Sequence, residues 1–351
     1  MSARQHLPRR RSTAALLCAA LLVGSSGLAQ GDVYPPGVTA EIHTAIARGC
    51  DWLERSQAGD GSWRSTGGHG TYPVAMTSVA GMALVVAGST PTRGKHFLGV
   101  RRAAAFVKRN ADGGNGLIAI PAEDSRSMYA HGFATLFLAS VFGMEEDVHE
   151  QQKLKRVLDK AVGLIQASQG PTGGWNYTPD IGFDEGSITI TQIQALRACR
   201  MAGIVVDKKT IDRAVDYIKK CQLPDGSIRY RLGQGGPGRP AITAAGVAVL
   251  YNAGVYDDQE FVDKAVQFCK QAITISGGSH HYYAHHYWGQ ALYQRGGQDW
   301  ADYYQKLSAW LLRQQQADGS WIGDGVGPVY GTGVALTLLL LPYAYVPIYQ
   351  R

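Results

Sequence analysis

Six copies of one short pattern govern what this chain can fold into: a basic residue, three spacers, then a large apolar residue followed by a second apolar one. They read Arg48-Gly-Cys-Asp-Trp52-Leu53, Arg102-Ala-Ala-Ala-Phe106-Val107, Lys160-Ala-Val-Gly-Leu164-Ile165, Arg213-Ala-Val-Asp-Tyr217-Ile218, Lys264-Ala-Val-Gln-Phe268-Cys269 and Lys306-Leu-Ser-Ala-Trp310-Leu311. The large residues stand 42 to 58 positions apart, a period that belongs to repeat architectures. Eight residues after the large residue, four copies enter a glycine turn: Asp60-Gly-Ser-Trp63, Thr172-Gly-Gly-Trp175, Asp225-Gly-Ser-Ile228 and Asp318-Gly-Ser-Trp321. The second copy turns at Asp112-Gly-Gly114 and the fifth at Gly277-Gly278. Such pairs end a helix and reverse the chain.

After each turn comes a second segment richer in Ala, Thr and Leu: 72–87, 128–142, 187–202, 241–253, 281–295 and 330–341. Five of these meet a glycine at once, the expected stop of a helix, and the sixth meets Pro342. The second segments are apolar nearly all round, whereas the first carry Lys, Arg, Asp and Gln between their apolar positions. A helix apolar on every side is buried, and an amphipathic one covers it. The pattern therefore predicts an all-α protein of two layers, six inner helices inside six outer ones, over residues 41–342. Neither end of the repeat run carries the polar cap that an open solenoid needs, so the ring is expected to close as an α6/α6 toroid. Residues 30–40 read as an N-terminal extension and 343–351 as a C-terminal tail.

Residues 1–29 read as a signal peptide: Arg4 and Arg9 to Arg11, an apolar run from Ala14 to Val23, and the small-residue site Gly27-Leu-Ala29. The run is too short to span a bilayer, so an exported protein without an integral membrane span after cleavage is expected. Cleavage removes four arginines and no acid, so the excess of 34 basic over 28 acidic residues becomes 30 over 28. The mature chain keeps no Lys/Arg-rich stretch able to follow a phosphate backbone, which excludes nucleic acid as the expected partner. Cys50, Cys199, Cys221 and Cys269 lie far apart in helical segments and read as small buried hydrophobes. The oligomeric state has no signature in the sequence.

The runs Arg48 to Trp63 with Gln57, Lys160 to Trp175 with Gln169, and Lys306 to Trp321 with Gln315 resemble the QW repeats of squalene and hopene cyclases. Arg213 to Ile228, with Gln222, lacks only the final Trp. The resemblance spans residues 41–342 and implies the α/α toroid of terpenoid cyclases, protein prenyltransferase β subunits, complement-type thioester domains and some pectate lyases. It implies a structural role for the repeat Gln and Trp residues. The relatives' chemical signatures are missing: there is no Asp-x-Asp-Asp acid, no Asp-x-Cys zinc pair and no Cys-Gly-Glu-Gln run. Asp257-Asp258 comes closest to the acid but reads as a helix N-cap.

Inner-helix N-termini in such a ring converge on the cavity mouth. That places Tyr72, Tyr129, His131, Asp184, Glu185, Thr191, Tyr282, Thr332 and Tyr330 there, with the unusual run Ser279 to Trp288. Within it His281 and His285 share a helix face, which suits either a ligand-lining floor or, as an alternative, a two-imidazole metal site. Tyr129-Ala-His131 repeats the spacing of Tyr283-Ala-His285; the histidines could act as general bases, or fill one structural slot of the repeat. Asp184-Glu185 reads as helix-dipole charge. No cofactor is called for. The expected function is binding of an apolar or extended small-molecule, peptide or glycan ligand in the central cavity. A polysaccharide lyase or hydrolase and a non-catalytic interaction scaffold are the alternatives.

Overall fold

The computed structural model describes residues 34–68, 70–256 and 258–350; the signal-peptide reading of 1–29 and Asp257 lie outside them. Among the described residues twelve α-helices alternate between two layers. The outer ones are α1 (Ala40–Ser56), α3 (Phe97–Arg109), α5 (Val148–Ala167), α7 (Lys208–Lys220), α9 (Gln259–Ala272) and α11 (Gly297–Gln314). The inner ones are α2 (Pro73–Val86), α4 (Ser127–Val141), α6 (Gly186–Met201), α8 (Pro240–Ala253), α10 (His281–Arg295) and α12 (Pro328–Leu340). Each inner helix packs on the next, and α12 returns to pack on α2, so the ring is closed. No described helix is long and apolar enough to cross a membrane.

The repeat signature works as a set of joints. Gln57 Nε2 donates to the carbonyl of Gly61 in its own turn at 2.9 Å and to that of Gly99 in the next outer helix at 3.0 Å. Gln169 does the same to Gly173 and Thr210, and Gln222 to Gly226 and Phe261. In the sixth repeat Gln315 donates to Gly319 and to Ala45 of the first outer helix, at 3.0 and 2.8 Å. One amide per joint thus ties a turn to its neighbour, and the sixth joint closes the ring. The tryptophans fill the corners: Trp63, Trp175 and Trp321 are at most 1% exposed. Their indole N–H groups reach the carbonyls of Leu53, Ile165 and Leu311 at 2.7–2.9 Å. That bond satisfies a carbonyl in the last turn of each outer helix.

A second joint links each turn to the inner helix that follows it. The backbone N–H of Trp63, Trp175, Ile228 and Trp321 donates to the hydroxyl of Thr77, Thr189, Thr243 and Thr332 at 2.8–3.2 Å. In the second repeat the N–H of Ile118 donates instead to His131 Nδ1 at 3.1 Å. Asp258 caps α9 by accepting from the N–H of Phe261 at 3.3 Å, as its place before the helix implied. Cys50, Cys199, Cys221 and Cys269 are buried free thiols.

Candidate functional site

The repeat slot occupied by Thr77 and His131 fixes the rotation of every inner helix. Side chains two before the slot, and one, two and five after it, turn toward the ring axis. They form a central cavity walled by Val79 and Met82 of α2, Phe133 and Leu136 of α4, and Tyr283, His286 and Tyr287 of α10. Tyr330, Val334 and Thr337 of α12 and Tyr349 complete it. About 30 Å³ is open to the centre of a water-sized sphere, room for one or two waters. The wall is mostly aromatic and aliphatic, and none of the residues lining it is Asp or Glu.

Three polar atoms in this wall are sealed from bulk water and make no hydrogen bond of good geometry within the chain, although the phenols of Tyr283 and Tyr287 stand close enough to interact: Tyr283 Oη, Tyr287 Oη and His286 Nδ1. Burial holds the Tyr283 and Tyr287 phenols well above their ordinary range, and the neighbouring hydroxyls of Tyr129 and Tyr330 add to the effect on Tyr283. Burial also pushes the His286 imidazole down to about 4, so at neutral pH it is an uncharged ring. An unpartnered buried donor or acceptor costs about 1–3 kcal/mol, and three in one small space are a concentrated cost.

Above the cavity, at the inner-helix N-termini, four hydroxyls form a line. Tyr129 Oη lies 2.7 Å from Ser187 Oγ, which lies 3.1 Å from Tyr230 Oη, which lies 2.5 Å from Tyr177 Oη. Four hydroxyls joined by three bonds leave one O–H free to donate at one end. Arg126 lies over the ring of Tyr177 at 4.4 Å and Arg239 over that of Tyr230 at 4.1 Å. Burial raises the Tyr129 phenol to about 12. Asp184 and Glu185 are buried here, Glu185 in an ion pair with Arg231.

The structure brings together only part of the predicted set. Tyr330 lines the cavity and Tyr129 sits at its mouth. Tyr72 is on the rim, its hydroxyl 3.0 Å from Ser125 Oγ. Thr332 accepts from Trp321 in the repeat slot, and Thr191 bonds back to carbonyls of its own helix. His131, His281, His285 and Tyr282 face the outer layer. His131 Nε2–H donates to Ala161 of α5, and His285 Nε2–H to Thr274 while its Nδ1 accepts from Tyr303 at 2.7 Å. His281 packs on Trp310, ring centroids 4.6 Å apart, and Tyr282 packs on the same ring. Both nitrogens of His131 and His285 are committed, so neither has a lone pair free for a metal or a base role, and the His281–His285 metal alternative falls with them.

Several site residues escaped the sequence reading, Tyr287, Tyr349, Tyr177 and Tyr230 among them. His286 lies in the conspicuous histidine run, but it faces the cavity where His281 and His285 face out. Asp324, in a glycine-rich loop, caps α10 by accepting from the N–H groups of Tyr282 and Tyr283 at 3.1 and 3.2 Å. Asp124, whose Oδ2 accepts from the N–H of Ile120 at 2.8 Å, has its carboxyl raised by burial to about 6.

His131, His285 and His286 are each lowered to about 4 by burial, from an unfolded value of 6.5. The unfolded chain therefore binds more protons between pH 6.5 and 4. Stability present above pH 6.5 is lost as pH falls through this window, by up to about 1.4 kcal/mol per pH unit for each imidazole. Asp124 and Glu145, whose carboxyls burial raises in the fold, oppose this in part. The melting temperature is expected to fall steadily from pH 6.5 to 4, and His131→Thr, which installs the slot residue of the other repeats, to flatten the fall by roughly a third to a half. A melting temperature that is level across this range would contradict the neutral-imidazole assignment.

A search for matching family models found none. The chain is 26% identical over 230 residues to a drimenyl diphosphate synthase of Streptomyces showdoensis, in a match covering 62% of this chain and 39% of that protein. It thus spans less than half of that relative. Among solved structures it is similar to the type II terpene cyclase MstE from Scytonema, with TM-score 0.58, 14% identity, and 88% and 100% of the two chains covered. It is also similar to the GH76A α-1,6-mannanase of Salegentibacter sp. HEL1_6, with TM-score 0.61, 8% identity, and 87% and 99% covered. These likenesses show the fold: an α/α toroid, as the repeats implied.

Proposed function

We propose that this chain is an exported ring protein whose repeats are of the QW type and whose central cavity binds an amphiphile with an apolar body and a hydrogen-bonding group. The observation that carries the reading is the trio of unpartnered polar atoms, on Tyr283, His286 and Tyr287, in a mostly aromatic and aliphatic wall. Pockets that recognise small molecules are apolar with a few convergent polar groups, and those groups are costly only until a ligand meets them. A prenyl-type chain ending in a hydroxyl or carbonyl has this chemistry, in keeping with the likeness to a cyclase solved with geranylgeranyl dihydroxybenzoate. The basic and apolar N-terminal run supports export.

The hydrolase alternative has its ring fold in the mannanase, but it needs a pair of carboxylates beside an open groove. The cavity wall has none, and at the mouth Glu185 is held by Arg231 and Asp324 by helix N–H groups. The test is the Tyr283→Phe/Tyr287→Phe chain, which keeps both rings and loses both hydroxyls. It is expected to be more heat-stable than the native chain when empty and to bind geraniol about tenfold more weakly.

A further inference from the structure

Residues 341–350 leave the wall of the ring and cross its floor, at the C-terminal ends of the inner helices. After α12 the chain makes a 3₁₀ turn, Leu341–Tyr343, bends at Ala344 and makes a second 3₁₀ turn, Pro347–Tyr349. Asn252, at the end of α8, donates its Nδ2–H to the Ile348 carbonyl at 3.0 Å, and Gln294 of α10 donates to the Gln350 carbonyl. Val346, Ile348 and Tyr349 are at most 4% exposed, and the ring of Tyr349 stands in the cavity wall beside Tyr287.

Three features set this strap apart from ordinary packing. Its bend is strained: Ala344 has φ 50° and ψ 34°, the left-handed region in which a Cβ is disfavoured. The wall above it is polar: Gln194 Nε2 donates to Asn252 Oδ1 at 3.0 Å and to Gln290 Oε1 at 2.8 Å, while Gln194 Oε1 is buried without a partner. The third feature is chemical. Tyr349 presents an aromatic body with one hydroxyl, the same class of molecule that the cavity is proposed to bind.

We infer that segment 343–350 is a removable plug and that the Tyr349 side chain occupies the ligand's place when the ring is empty. This rests on the cavity reading, because the space beside Tyr349 holds one or two waters, and an amphiphile of several carbons enters only when that ring swings out. Ligand and plug then compete for one space. The apparent affinity of the native chain is the intrinsic affinity reduced by the fraction of molecules with the plug released.

The test uses geraniol with the full chain and its Tyr349→Ala variant, read by calorimetry and by hydrogen exchange of the backbone amides. Removing the side-chain competitor is expected to raise geraniol affinity about 10- to 100-fold, as for an open state populated at about 1–10%. In the native chain, geraniol is expected to speed exchange in 343–350 while slowing it in α10 and α12. Asn252→Ala, which loosens the strap without touching Tyr349, is expected to move affinity the same way by several-fold. If folded Tyr349→Ala binds geraniol no tighter than the native chain does, or if binding leaves exchange in 343–350 unchanged, the plug is refuted while the cavity reading stands. If neither folded chain binds geraniol, the cavity reading itself fails, and the plug with it.

Discussion

Replacing Trp321 with alanine is expected to destabilise the ring by about 3–5 kcal/mol, the range for removing a fully buried large aromatic, read as the shift of a urea unfolding midpoint. Trp321 is fully buried at the corner between the sixth and first repeats, and its indole N–H satisfies the Leu311 carbonyl at 2.8 Å. The substitution leaves a cavity, and that carbonyl loses its partner. The lost contacts reach across the closure: a Cβ on Gly49 of α1 would stand 2.7 Å from the indole ring. In an open array a terminal corner would fray at little cost. A loss below about 1 kcal/mol, the level of a surface change, would show that the ring does not depend on this corner.

A second large loss is expected at the same seam from Gly319→Ala. Gly319 has φ 98°, and a Cβ there would stand 2.6 Å from the backbone carbonyl oxygen of Arg48, the basic residue that opens the first repeat. The obstacle is backbone, which has no rotamer to move aside. The left-handed conformation costs a side chain about 1–2 kcal/mol and the forced separation about 1–3 more, together roughly 2–4 kcal/mol. Gly173 makes the same approach to Arg213, so Gly173→Ala is the matching control inside the ring. Equal losses at the two sites, measured in urea, are expected if the sixth joint is built like the third. A loss at Gly173 alone would mean that the seam opens readily.

The layers and helix boundaries were legible because six copies of one pattern average out local ambiguity. The predicted inner segment 281–295 coincides with α10, and 128–142 differs from α4 by one residue at each end. The site was less legible for a physical reason. Inner helices that are apolar all round have no hydrophobic direction, so their rotation is not encoded in hydropathy. His281 and His285 share a face, and nothing in their own segment says that the face meets α11. The missing signal is the repeat slot of Thr77, Thr189, Thr243 and Thr332. Aligning His131 and His285 to it turns Tyr283, His286, Tyr287 and Tyr330 inward. Asp324 caps a helix begun more than forty residues earlier, a partnership that no local pattern records. The burial of Val346, Ile348 and Tyr349 likewise depends on where the ring places its floor.

The claim that the cavity is built for a ligand is tested most directly by thermal unfolding of the native and Tyr283→Phe/Tyr287→Phe chains, each with and without geraniol. Two buried hydroxyls without partners cost the empty native chain about 1–3 kcal/mol each, so the double variant is expected to melt higher when empty and to gain less from geraniol. The order of the two chains narrows or reverses as geraniol is added. A double variant that melts lower than the native chain without ligand, and gains as much from geraniol, would contradict the account: the hydroxyls would then be serving the fold and not a guest.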